Sequence, residues 1–263
     1  MFVLGGDAFP HDTKSLRAVL ARAAARLGAG DGAVIVNGEY PSVETTQMNL
    51  TGVRLDSRAA LATAVENTGG GFFSRALDIA AEPALAASVP VRLRMRAEDC
   101  VFAFGTAADG TRVASLQSCT NGTLDASAAT ADLEAALLTL ARDAASKHGA
   151  EVQSVRLTLD AESPRQVAVT AIAVAKAMFF TATLTIRGRI ALDDEFNLRL
   201  SEATCTGDGM LANLAAAQLR PRLAELEGRE FSLRTFLPAG LHVTGIELTG
   251  GAALRIRATF GGA

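Results

Sequence analysis

Four stretches of the chain repeat apolar residues at three- and four-residue steps, and between them the pattern drops to a period of two. In the first, Leu16, Val19, Leu20, Ala23 and Leu27 share a helical face, with Thr13 or Ser15 as the expected cap and Gly28 as the stop. The second is looser and covers residues 72–87, just after Gly69-Gly70-Gly71, which reads as a linker. The third is the strongest. Leu133, Ala136, Leu137, Leu140, Ala141 and Ala144 line one face of a helix expected over residues 133–146 and stopped at Gly149. The fourth follows Gly209 over residues 210–226. It places Leu211, Leu214, Ala215, Leu219 and Leu223 on one face, with Pro221 as an expected kink.

The period-two segments predict strands. Val91, Leu93 and Met95 alternate with Arg92, Arg94 and Arg96, and Cys100, Phe102 and Phe104 continue the run to an Asp109-Gly110 turn. Past the third helix come Val155/Leu157/Leu159, Val167/Val169, Phe180/Ala182/Leu184/Ile186 and Ile190/Leu192. A turn at Asp193-Asp194-Glu195 then leads to Phe196/Leu198/Leu200. The last set is Leu241/Val243, Ile246/Leu248, a Gly250-Gly251 turn, and Leu254/Ile256/Ala258/Phe260. Strands with one dry and one wet face belong to antiparallel sheets. The expected fold class is therefore α+β, a highly twisted antiparallel sheet wrapped on long amphipathic helices held at its concave side.

A short echo bears on domain organisation. SLQSCTNGTL at residues 115–124 and SEATCTGDGML at 201–211 each carry Cys-Thr, then Gly, then Leu, ahead of a Leu/Ala-rich helix. The expectation is one domain over residues 1–263 with two related units, about 1–128 and 129–263, and Cys119 and Cys205 at matching sites.

Composition removes several function classes. Lys and Arg total 25 against 28 Asp and Glu, a formal net charge of -3, so the chain carries no electrostatic footprint for nucleic acid. The three cysteines, Cys100, Cys119 and Cys205, lack paired short spacing and read as buried thiols, with a Cys119–Cys205 bridge left open. No apolar run is long enough to span a membrane, and no signal peptide is visible. A soluble protein follows, in the cytoplasm, or in the cell envelope if a leader has been removed.

Candidate chemistry is sparse. His11, His148 and His242 are scattered, so no metal ligand set and no cofactor is expected. No Gly-x-Ser-x-Gly elbow or dinucleotide glycine fingerprint occurs, and the acidic triplet Asp193-Asp194-Glu195 reads as a hairpin tip. The expectation is a non-catalytic protein.

The C-terminal third adds a resemblance. From Phe179 onward a hairpin precedes a strand ending in a Gly turn, a Leu-rich helix, and an apolar segment with Pro238-Ala239-Gly240-Leu241. A VTGIEL strand and a final Gly-turn strand follow. This order resembles the C-terminal half of the bacterial LmeA-like phospholipid-binding family, related to the tubular lipid-binding (TULIP) proteins. The resemblance implies a TULIP-like fold and a bound lipid or other apolar small molecule, and leaves peripheral membrane contact and homo-oligomer formation open. On the strand and helix phasing, the groove would be lined by Phe180, Leu184, Ile186, Leu198, Leu200, Leu214, Ile246 and Ile256. The alternative is a structural or interaction module with a filled core that self-associates or binds a protein partner.

Overall fold

The computed structural model describes residues 2–4, 8–55, 65–107, 109–146, 150–177, 180–227, 229–233 and 242–262. Contacts divide the chain into a first unit, Met1–Ala126 with Thr235–Ile246 and Arg257–Ala263, and a second unit, Ser127–Arg234 with Glu247–Ile256. In chain order, β1 (Phe2–Val3), α1 (Thr13–Arg26), β2 (Val34–Glu39), β3 (Ser42–Asn49), β4 (Arg54–Leu55), β5 (Val65–Ala86), β6 (Val89–Ala107), β7 (Arg112–Ser118) and β8 (Asn121–Ala129) come first. Next come α2 (Thr130–Ser146), β9 (Glu151–Ser163), β10 (Gln166–Ala177), β11 (Phe180–Leu192), β12 (Asn197–Asp208), α3 (Met210–Glu227) and β13 (Glu230–Ser232). A final hairpin of β14 (Val243–Thr249) and β15 (Ala253–Phe260) ends the chain, and its tip, Glu247–Ile256, belongs to the second unit. The protein is thus α+β and dominated by strands.

In the first unit, α1 forms where its apolar stripe is expected, burying Leu16, Val19, Leu20, Ala23 and Ala24. Its cap is Asp12 rather than Thr13 or Ser15. The Asp12 carboxylate accepts the Ser15 N–H at 2.6 Å, and the Ser15 hydroxyl faces back to the Asp12 N–H. Those hydrogen bonds hold the Asp12 carboxyl below its ordinary range. Gly28, with φ +92, follows the helix end as expected. The buried stripe meets Val34, Val43, Met48, Phe72, Ile79, Phe102 and Phe104 in one core.

The helix expected over residues 72–87 is a strand. Phe72 and Ser74 are buried, then Leu77, Ile79 and Ala81, then Ala84, with two outward residues in succession at Arg75-Ala76 and at Glu82-Pro83. Each slip converts a two-residue step into a three-residue one, which mimics helical spacing; the register of β5 on β6 shifts between Ala81 and Ala84. Nor is Gly69-Gly70-Gly71 a linker, since it lies within β5. A side chain at Gly71 would place its Cβ 2.0 Å from the Phe102 carbonyl oxygen, so the ladder closes there only around glycine. The sheet is also not purely antiparallel. β3 and β4 run parallel to β5, so the ten-stranded sheet, ordered β14-β15-β8-β6-β5-β3-β2 with β1, β4 and β7 beside that path, is mixed. The chain between β3 and β5 is long enough for the crossover a parallel pair requires.

The second unit holds a five-stranded antiparallel sheet, β13-β12-β11-β10-β9. α2 packs along β9, and α3 along β12 with a lighter contact to β11. Side chains of both helices also serve backbone groups along the strand edges. β9 is an edge strand, and β13 covers β12 only at Asn197–Arg199. Unpaired edge groups need partners. Glu134 of α2 accepts the Leu157 N–H at 2.7 Å, and Arg142 Nε donates to the Val152 carbonyl at 2.9 Å. Glu227 of α3 accepts the Ala203 N–H at 2.6 Å, and Arg220 Nε donates to the Cys205 carbonyl at 3.3 Å.

These seams make a prediction. Replacing Glu134 with Ala leaves the Leu157 N–H without its acceptor and is expected to cost about 1–3 kcal/mol. Glu134→Gln, which keeps an acceptor, is expected to cost less. Urea denaturation midpoints of the two variants check the order.

Candidate functional site

Register sorts the side chains of the second sheet onto two unlike faces. Ala171 pairs with Leu157 and Ile186, Ala173 with Val155 and Leu184, Val169 with Leu159 and Gly188, and Val167 with Ile190. Leu200 pairs with Ile190, and Leu198 with Leu192. All of these occupy one face, which is aliphatic throughout. The other face carries Thr158, Thr170, Thr183, Thr185, Arg187, Arg189, Ser201, Thr204 and Thr206, relieved by Ile172 and Val174.

Only part of the aliphatic face is closed. Leu157, Leu159, Val167 and Leu248 are buried together, with Leu133, Ile190, Leu198, Leu254 and Ile256 packed around them. Leu248, Leu254 and Ile256 come from the β14–β15 hairpin tip, which lies directly on β9 and β10. The Leu248 N–H donates to the Pro164 carbonyl at 2.6 Å, and a Cβ at Gly250 would lie 2.9 Å from both the Leu159 oxygen and the Val167 side chain. Thr130, at the start of α2, donates its hydroxyl to the Gly251 carbonyl at 2.7 Å, so this helix end is tied to the same turn. Farther along the face, Ala171, Ala173, Ala175, Ala182, Leu184 and Ile186 are only half-buried.

α2 and α3 border this floor, α2 along β9 and α3 on β12. On α2, the residues seated toward β9 recur as Glu134, Leu138, Ala141/Arg142 and Ala145. The adjacent stripe is Leu133, Leu137, Leu140 and Ala144. Leu133 joins the closed cluster, whereas Leu137 and Leu140 stay exposed, Leu140 at 66%. On α3 the seated positions are Ala212 and Ala216, both buried, continued by Arg220. Small side chains are needed here because the helix start touches β12. A Cβ at Gly207 would lie 2.2 Å from the Ala212 carbonyl carbon.

The residues expected to line a groove divide accordingly. Leu184, Ile186, Leu198 and Leu200 share the aliphatic face, and Ile256 packs over it from the hairpin tip. Phe180 opens β11, and its side chain lies outside the described residues. Leu214 does not line the face: it is 61% exposed, on the side of α3 opposite Ala212 and Ala216. Ile246 is buried in the first unit and takes no part in the second. His148 and the Pro238–Leu241 piece lie outside the described residues. Sequence reasoning missed Glu134, Arg142, Arg220 and Glu227, although a lone charge in an Ala/Leu stripe was a usable signal.

The charged groups lie away from the open floor. Arg189, on the polar face, pairs with Glu162 at 2.6 Å and with Glu202, and Arg165 pairs with Asp194. Asp193-Asp194-Glu195 forms the expected turn. Asp193 accepts the N–H groups of Asn197 and Glu195, and the hydrogen bond from Asn197 above all keeps its carboxyl below the ordinary range. Among the described residues, no group of three His, Cys, Asp or Glu side chains is placed to hold a metal, and no helix is long and apolar enough to cross a membrane. The first unit has a shallow open depression of about 400 Å³, lined by Pro41, Ser42, residues 69–73 and residues 101–103, without a charged side chain.

The two Cys-Thr segments are not equivalent. Cys119 sits in the turn between β7 and β8, so all of β8 separates it from α2, whereas Cys205 is inside β12, five residues before α3. All three thiols are free and buried.

Compared with known proteins, the chain matches no family model, and no curated protein and no solved structure matches it significantly.

Gly207→Val is expected to push α3 off β12 and to destabilise the protein by about 1–3 kcal/mol. Hydrogen exchange should then show α3 amides losing protection ahead of those in β10 and β11.

Proposed function

We propose that the second unit holds an apolar ligand, a lipid chain, on its half-open aliphatic face, and that it does so without catalysis. One observation carries this reading. The floor of Ala171, Ala173, Ala175, Ala182, Leu184 and Ile186 is left half-buried beside a helix whose Leu137 and Leu140 are exposed. Alanines alternating with Leu and Ile leave a lane in the floor that larger residues would fill. About ten methylenes buried there at about 0.8 kcal/mol each would supply about 8 kcal/mol, the micromolar range before ordering costs. The sequence resemblance to the LmeA-like phospholipid-binding family, with its TULIP-like sheet and helices, supports the same ligand class. No cofactor enters this reading.

A second reading has its own observation. Met210 is 85% exposed and Leu214 follows one turn later, an apolar stripe on the outer side of α3 suited to a second copy or another protein. The two readings differ in what they require: a ligand on the sheet face, or association through α3.

A fluorescent long-chain fatty acid titrated against the protein is expected to bind saturably in the micromolar range and to be displaced by unlabelled lipid. Ala173→Phe, which fills the lane without removing an apolar contact, should weaken binding at least tenfold, while Leu214→Ser should leave it unchanged. Absence of saturable binding, or a mass by sedimentation that falls to the monomer only in Leu214→Ser, favours the association reading.

A further inference from the structure

The first unit brings two of the three thiols together. The last pair of the β6–β7 ladder is Val101 with Ser118, and Cys100 and Cys119 are the next residue on each strand. Beyond them the Thr120 N–H donates to the Glu98 carbonyl at 3.0 Å, and the Thr120 hydroxyl bonds to the Asp99 carboxylate at 3.1 Å. Asp99, squeezed between these contacts, has φ +50. Two residues of β6, Asp99 and Cys100, therefore oppose the single residue Cys119, which is the arrangement of a bulge. Asp99 turns out to meet Thr120, and both cysteines turn into the same core, Cys100 at 0% exposure and Cys119 at 5%. The two sulfurs are near enough to affect each other. Burial above all, then the nearby Cys119 sulfur, pushes the Cys100 thiol up to about 12.

We propose that Cys100 and Cys119 form a reversible cross-strand disulfide, closed by exchange with a low-molecular-weight disulfide. Opposed residues of an antiparallel pair have Cα atoms about 4.5–5.5 Å apart, inside the span of about 4.4–6.8 Å that a disulfide bridges. A bulge is where a strand pair most readily yields the small remaining approach of the Cβ atoms. Cys119 reacts first, because it lies beyond the last residue of β7, in a turn. Its thiolate attacks one sulfur of the small disulfide and releases one small thiol, giving a mixed disulfide on Cys119. The Cys100 thiolate then attacks the Cys119 sulfur and releases the second. Two protein thiols are oxidised, one small disulfide is reduced to two thiols, and the protons leave from Cys100 and Cys119. Cys205, buried within β12 of the second unit, is an internal control.

The folded, full-length protein, first reduced, is incubated with oxidised glutathione, alkylated, and digested with trypsin without reduction. Cleavage after Arg96, Arg112 and Arg142 separates the two cysteines into peptides of residues 97–112 and 113–142. The expected product is those two peptides joined, with Cys205 alkylated and the link removed by dithiothreitol. Cys100→Ala is expected to stop at a lasting glutathione adduct on Cys119. The wild-type peptide map decides the matter even where a variant folds poorly, and circular dichroism before and after oxidation establishes that the fold is kept. A lasting adduct on wild-type Cys119, a link involving Cys205, or three thiols that all stay open to alkylation would each overturn the proposal.

Discussion

Among the described residues, each of the three helices sends an arginine to a carbonyl on a strand at the end of a sheet. Arg17 of α1 donates to the Val34 carbonyl at 3.2 Å, Arg142 of α2 to Val152, and Arg220 of α3 to Cys205. The recipients are on β2, β9 and the stretch of β12 beyond β13, the places where a strand lacks a neighbour on one side. An extended backbone left bare along an edge invites pairing with another chain. A helix laid beside it hides the edge, and a guanidinium, with several donors on a long stem, reaches the carbonyls the helix backbone cannot serve. In the second unit the device is doubled, because Glu134 and Glu227 answer the N–H groups of the same edges.

This arrangement decides what happens to the faces. A helix placed across a sheet closes one face and leaves the edges to other means. A helix placed along an edge does the reverse. In the second unit both edges are served, and the aliphatic face is closed by the β14–β15 tip and Leu133 at one end and by the start of α3 over Gly207 at β12. The floor between these covers stays half-buried, and the polar face opposite carries threonines and the Arg189–Glu162 pair.

What the sequence revealed followed the strength of local rules. The stripe and glycine stop of α1, and the turns at Asp109-Gly110, Asp193–Glu195 and Gly250-Gly251, were legible because a few residues dictate their backbone. The phase of β11 and β12 was legible too, since Leu184, Ile186, Leu198 and Leu200 fall on one face as alternation requires. β5 was not, because its two phase slips imitate a helical step. Leu214 was misplaced because hydrophobicity ranks leucine above alanine, whereas closeness to Gly207 selects Ala212 and Ala216 for the contact side. The Cys-Thr echo misled because similar strings say nothing about the length of strand that follows each. The parallel pairing of β3 with β5, and the membership of Ile246 in the first unit, depend on long-range topology that local pattern does not carry.

The seams also make the second unit mechanically uneven. Its floor is a continuous main-chain ladder across β9 to β12, and sliding one strand would break many bonds at once. Its helices are held by side chains, the small Ala212 and Ala216 of α3 against β12 and the arginine and glutamate anchors along the edges. The floor is therefore the stiff part of the unit, because its order rests on main-chain bonds that no single side-chain replacement removes.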